Sequence, residues 1–252
     1  MDDRMNALAM IHARGGSKRL PGKNLVEFCG RPLVSYPIAA ALESGLFAEV
    51  MVSTDDDRIA QVARHYGAEV PFMRSEWASG DEAMAVDVCH EVLRMYGLAN
   101  REFDAFCVLH GCQPFIRPDL LQAAAELLGR FDVVRAVIRR QPVEWALHLA
   151  EDGRIEPVHP TLCQARSQDC EPAYSHAGML YWVKTAAFER EKTLFPTNSG
   201  AIVLREDECH DIDEPEDLVM AELKYARLHP QTDEREIVRL LTADGREVEL
   251  RI

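Results

Sequence analysis

Along the chain, short apolar runs alternate with stretches in which apolar residues recur every three or four positions, the periods of a buried strand and an amphipathic helix. The runs LAMIHA, EVMVST, AEVPFM, FDAFCVLH and DVVRAVI predict strands. Between them, PLVSYPIAAALES, stopped by Gly45, and DDRIAQVARHY, stopped by Gly67, predict helices. EAMAVDVCHEVLRMY, again stopped by a glycine, and PDLLQAAAELL predict two more. Pro37 costs the first helix a hydrogen bond unless it lies in the opening turn. Strand and helix in alternation make βαβ units, so the expected class is α/β, a Rossmann-like, mixed but mostly parallel sheet flanked by helices.

The alternation breaks over about 141–172. WALHLAEDGRIEPV is two short runs around EDG, the pattern of an inserted hairpin. The α/β order resumes with GMLYWV and GAIVL as strands and EPEDLVMAELKYARL as a helix. A polar link after His229 leads to EREIVRLL, read as a short helix, and REVELRI, read as a strand. The division is one domain over 1–229, carrying the insert at 141–172, and an extension over 230–252.

Composition narrows the function. The net charge of -14 argues against general affinity for nucleic acid, which needs a basic surface. No apolar run reaches the ~20 residues of a membrane span, and the opening MDDRMNALAM does not read as a secretion signal, so the expected location is the cytoplasm. Seven cysteines, odd in number and without C-x-x-C spacing, argue against a zinc site or a disulfide framework.

Against that acidic background, HARGGSKRLPGKN sets Arg14, Lys18, Arg19 and Lys23 among three glycines directly after the first strand. Neither familiar phosphate pattern fits. Ser17 stands where the P-loop needs its first glycine, Asn24 replaces its hydroxyl residue, and G-x-G-x-x-G is absent. The physical logic still holds, because glycines let backbone N–H groups converge on an anion and cations neutralise a polyphosphate. The loop also falls at the carboxyl edge of the sheet, where α/β proteins bind ligands.

ARGGSKRLPGKN resembles the nucleotide-binding signature of the cytidylyltransferases that activate sialic-acid-type sugars. GLFAEVMVSTDDDRIAQVARHYGAEVPFMRS continues the similarity, HDIDEPEDL resembles the family's acidic motif, and QARSQDCEPAYSHAGMLYWV is most similar to the branch that makes CMP-pseudaminic acid. The resemblance runs from about Ala9 to Lys224. It implies a nucleotidyltransferase fold, CTP and a keto sugar acid as substrates, and a nucleotide site at Ala13, Arg14, Gly15, Gly16, Ser17, Lys18, Lys23, Asn24 and Arg74. It also implies a homodimer, since the region of the insert packs on a second subunit in the enzymes it resembles.

Asp211 and Asp213, two apart, face one side of an extended segment, and two hard oxygen donors suit Mg²⁺. Asp213 equally suits the cap of the helix that opens at Pro215. The resemblance matches both aspartates to the family's metal pair. His110 stands at a strand end where the family carries a polar substrate contact, followed by Gly111 where a proline is usual, and His12 likewise replaces a proline. Arg166 suits the acid's carboxylate, because arginine binds carboxylates bidentately. Gln168, Tyr174 and His176 complete the candidate sugar pocket, with Tyr181 equally suited to the core.

The implied reaction is attack of an anomeric hydroxyl on the α-phosphorus of CTP, expelling pyrophosphate. Arg14, Lys23 and Asp211 are the candidate catalytic residues, and no residue stands out as an obligatory general base. Two other readings remain at this level: transfer to a different acid, such as a shorter keto sugar acid or a phosphonate, and a non-catalytic nucleotide-binding protein.

Overall fold

In the computed structural model, which describes residues 5–229 and the strand segments 237–241 and 247–251, the apolar run ALAMIH forms β1 (Ala7–His12). A two-residue ribbon, β2 (Glu27–Phe28) and β3 (Arg31–Pro32), precedes α1 (Ser35–Ser44) and β4 (Glu49–Ser53). Helices α2 (Asp57–His65), α3 (Glu76–Ser79) and α4 (Ala85–Leu98) come before β5 (Ala105–His110) and α5 (Pro118–Glu126). β6 (Val133–Arg140) leads into the short strands β7 (Leu147–Leu149) and β8 (Ile155–Pro157), and the chain returns through β9 (Ala173–Lys184). α6 (Thr185–Glu191), β10 (Ser199–Leu204) and α7 (Pro215–Leu228) follow, and β11 (Ile237–Leu241) pairs antiparallel with β12 (Glu247–Arg251).

Six strands share one sheet in the order β10-β6-β9-β5-β1-β4. β1 runs parallel to β4 and β5, and β10 parallel to β6, while β9 is antiparallel to both its neighbours. The expected mixed, mostly parallel sheet is therefore present. β1 is apolar up to its last residue, His12, because both its faces are covered: Ala7, Ala9 and Ile11 join one core with Trp182 and Phe115, whereas Leu8 and Met10 join another with Phe106 and Phe188. The 141–172 insert does contain a hairpin, β7 against β8.

Four expectations need correction. AEVPFM is not a strand; Glu69 alone bridges Met51, and Pro71, with no N–H to give, prevents a longer ladder. α4 runs through Gly97 to Leu98, and the left-handed turn falls at Asn100, with φ of +54°. EREIVRLL is not a helix over its described part, since Ile237–Leu241 is a strand; a short apolar run of β-branched residues suits either period, and here strand pairing decides. Asp213 does not cap α7. Glu214 holds that position, and Asp217 accepts from the backbone N–H groups of Asp213 and Glu214. Pro37 lies in the first turn of α1, where its missing N–H costs nothing.

Candidate active site

The ends of β1 and β5 bring His12 and His110 side by side in register, and the chain beyond each strand shapes the site. Gly111 donates its N–H to the His12 carbonyl at 2.9 Å. A Cβ there would meet Ala13 Cβ and Asn24 Oδ1 at 2.8 Å each, so the close approach of the two loops requires glycine. Asn24 Nδ2 donates to the Arg14 carbonyl at 2.9 Å and ties the basic loop to itself.

The four cations of that loop are all neutralised within the protein. Arg14 and Lys18 reach Asp81 at 3.5 and 2.6 Å. Arg19 and Lys23 reach the two carboxylate oxygens of Asp213 at 2.6 and 3.0 Å, and Lys23 also donates to the Ile212 carbonyl at 2.7 Å. Burial opposes the Lys23 charge, but Cys112, Asp213 and Asp211 together outweigh it and raise its pKa. The Gly15 N–H donates to Asp55 Oδ1 at 2.8 Å, and a Cβ would strike Asp56 at 2.9 Å.

A cavity of about 240 Å³ opens beside this loop, lined by His12, Arg14, Lys23, Arg74, His110 and Cys112 among others. Arg74 is buried and anchored on β4 by Ser53, through Oγ at 2.9 Å and the carbonyl at 2.6 Å, and burial lowers its pKa to about 10. His110 is held at about 4 by burial and by Lys23, and burial, then Arg74 and His110, push His12 far below its ordinary value. Both imidazoles are therefore neutral at physiological pH.

A second cavity, of about 430 Å³, is lined by Asp211 of the acidic motif with His176, Gly178, Arg140 and Lys224 among others. β6 and β9 lose register between Arg135 and Val137, and Gly178 sits in that irregularity with φ of +62°. A Cβ on Gly178 would stand 3.6 Å from Asp211 Oδ2 and 3.9 Å from Gln113 Nε2. Gln113 is fully buried, and neither its Nε2 nor its Oε1 has a protein partner. Burial, and next the like charge of Asp213, raise the pKa of Asp211. Asp213 moves the other way, because Lys23 and Arg19 outweigh its burial.

The candidate residues thus divide. Ala13, Arg14, Gly15, Gly16, Ser17, Lys18, Lys23 and Asn24 form one loop, which Arg74 and His110 face across the smaller cavity. His176 shares the larger cavity with Asp211. Arg166, Gln168 and Tyr174 reach neither cavity. Arg166 lies in the exposed insert, where Asp169 holds its Nε at 2.7 Å and its Nη2 at 3.1 Å. Asp81, Gln113, Arg140 and Lys224 escape the sequence reading because only the fold brings them here. No helix among the described residues is long and apolar enough to cross a membrane. All seven cysteines are free.

Comparison with known proteins gives a consistent picture. A family model described as cytidylyltransferase matches residues 8–206. Pseudaminic acid cytidylyltransferase from Campylobacter jejuni is 35% identical over 89% of this chain and 98% of its own. CMP-N,N'-diacetyllegionaminic acid synthase from Legionella pneumophila is 33% identical over 86% of this chain and 95% of its own. A CMP:2-keto-3-deoxy-manno-octonic acid synthetase solved with CTP has the same fold, with a TM-score of 0.66 at 20% identity over 88% of this chain and 99% of that one.

Proposed function

The chain belongs to the cytidylyltransferase family, and from that premise we propose that it transfers CMP from CTP to the anomeric hydroxyl of a nine-carbon 2-keto sugar acid, pseudaminic acid or a close relative, with release of pyrophosphate. The observation that carries this reading is the meeting of Lys23 with Asp213, which joins the basic loop to the acidic motif between the two cavities. The smaller cavity takes the nucleotide and the larger takes the sugar acid.

Nucleotidyl transfer depends mainly on placement and charge neutralisation. Arg14, Lys18, Arg19 and Lys23 receive the triphosphate, with the Gly16 N–H in support, and must release Asp81 and Asp213 to do so. In the free protein those two aspartates hold the cations in place and limit the cost of gathering four like charges. Arg74, fixed by Ser53, and the neutral His12 and His110 border the nucleotide cavity without adding a mobile charge.

The acidic motif fits a hard divalent cation. Burial, and next the like charge of Asp213, raise the Asp211 pKa, and the Asp211 carboxylate and the unpartnered Gln113 amide both approach Gly178. Asp211 and Asp213 would hold Mg²⁺, which when bound supplies charge neutralisation at the phosphates and acidifies a nearby hydroxyl. The partner we infer is a second copy of the chain, docked on the exposed apolar face of the β7–β8 hairpin.

Pyrophosphate release in the presence of CTP and a panel of keto sugar acids tests the function. Release that requires both CTP and a nine-carbon keto acid is expected. No release with any acid, or equal release with every nucleoside triphosphate, overturns the proposal. His12 and His110–Gly111, which depart from the usual proline-containing pattern, favour a second outcome in the same assay, preference for a related keto acid over pseudaminic acid.

A further inference from the structure

Asp211 and Asp213 are supported unequally. Asp213 has Arg19 at one carboxylate oxygen and Lys23 at the other. Burial, and next the like charge of Asp213, oppose the ionised form of Asp211, and Lys23 offsets them by charge without a hydrogen bond. A carboxylate that holds a cation gains from a neighbour that fixes its orientation, and a neutral donor does so without bringing a competing positive charge.

Gln113 is placed to be such a donor. Its backbone N–H donates to the His110 carbonyl at 3.2 Å, a turn that carries the chain off the end of β5. Cys112 lines the nucleotide cavity, while the side chain of Gln113 approaches Gly178, as does the Asp211 carboxylate. The point that a Gly178 Cβ would occupy is 3.6 Å from Asp211 Oδ2 and 3.9 Å from Gln113 Nε2. Glycine, held there at φ of +62°, leaves the space beside both groups free of a side chain.

Gln113 is fully buried, and neither heteroatom of its amide has a partner among the described residues. Buried polar groups are nearly always hydrogen-bonded, and leaving one unpaired costs stability. Methionine would fill a similar volume without that cost. A carboxamide in this position is explained by a state in which it is used, and the acceptor beside it is Asp211.

We propose that Gln113 is a positioning residue for Asp211: once a divalent cation is bound at the acidic pair, the Gln113 amide moves into the space at Gly178, donates to the Asp211 carboxylate and holds its other oxygen toward the cation. The proposal rests on the reading of Asp211 and Asp213 as the metal pair. It adds to that pair a residue from the end of β5, whose amide finds its hydrogen bond only in the loaded protein.

The test compares wild type with Gln113→Met, Gln113→Asn, Asp211→Asn and the double variant Gln113→Met/Asp211→Asn. Two quantities are read: the melting temperature without divalent cation, and the affinity of the protein–CTP complex for Mn²⁺, a stand-in for Mg²⁺, by water-proton relaxation. Gln113→Met should leave the melting temperature unchanged or raised and weaken Mn²⁺ about 10- to 100-fold, the scale of a lost supporting hydrogen bond at a metal site. Gln113→Asn, whose amide is one methylene short, should also weaken Mn²⁺, and it decides the matter if Gln113→Met does not fold. Asp211→Asn should weaken Mn²⁺ by itself, and adding Gln113→Met should then cost little more, because Gln113 acts through Asp211. A packing role alone gives the reverse pattern, a lowered melting temperature with unchanged Mn²⁺ affinity. That pattern overturns the proposal, as does a Gln113→Met loss that persists in full beside Asp211→Asn; either leaves the metal pair standing. Unchanged Mn²⁺ affinity in Asp211→Asn overturns the metal pair and the proposal together.

Discussion

Lys23 Nζ lies 3.0 Å from Asp213 Oδ1, a contact between residues 190 positions apart that closes the basic loop onto the acidic motif. Under the proposed function the pairing is a resting state, because Asp213 cannot give both oxygens to Lys23 and Arg19 and also bind a cation unchanged. Either Asp211→Ala or Asp213→Ala should lower turnover about 100-fold or more, the scale of lost electrostatic stabilisation at a developing charge. Single-turnover rates with saturating CTP measure it. Near-normal turnover in either folded variant would remove the pair from the reaction.

The proposed function puts Lys23 against phosphate rather than base. Lys23→Ala should weaken CTP, UTP and ATP by a similar factor and leave the preference for CTP over the others where it is in wild type. Competition binding with the three nucleotides shows the difference. A selective loss of cytosine preference would place Lys23 against the base.

Asp211 and Asp213 should respond oppositely to pH. Asp211 has its pKa raised on folding, so its ionised form costs stability; the cost is complete above the raised value and disappears below the unfolded one. Asp211→Asn should therefore raise the melting temperature of the metal-free protein at pH 7, with the gain shrinking as the pH falls towards the ordinary carboxylate range. Asp213, lowered by Lys23 and Arg19, contributes stability above its unfolded value and loses it as the pH falls through the folded one. Melting curves of Asp211→Asn and Asp213→Asn across pH 4 to 7 should diverge in sign. A neutral-pH destabilisation by Asp211→Asn would contradict the crowding of the two carboxylates.

Much of this site is legible in the sequence because it is local. The strand ALAMIH, the twelve residues after it and the two aspartates of HDIDEP are each continuous segments whose residue types state their chemistry. What escapes depends on distant partners. Nothing near Asp81 marks it as the counter-ion of Arg14 and Lys18. Arg140 and Lys224 come together only when β6 and α7 border one cavity. The Gly15 N–H has a distant partner of the same kind, Asp55, forty positions away. The helix expected at EREIVRLL shows the complementary limit, since a short apolar run carries both periods and the partner strand 247–251 decides between them.

The β7–β8 hairpin gives the last prediction. Leu149 is directly opposite Ile155 and Leu147 opposite Pro157, so these four side chains share one face of the hairpin by the two-residue alternation of strands. That face is open to solvent in the single chain, with Leu149 at 75% exposure and Ile155 at 62%. An isolated two-stranded hairpin is marginal in water, and this one gains nothing from covering its apolar face in the single chain. A second copy related by a two-fold axis would bury both hairpins at once through identical surfaces. Light scattering should then give twice the 28.4 kDa chain mass at micromolar concentration. Leu149→Glu should yield the 28.4 kDa species, because a carboxylate placed in an apolar interface loses its hydration without a partner, whereas in a monomer the same exposed position tolerates it. A wild-type monomer with full activity would show that the hairpin face is not the interface.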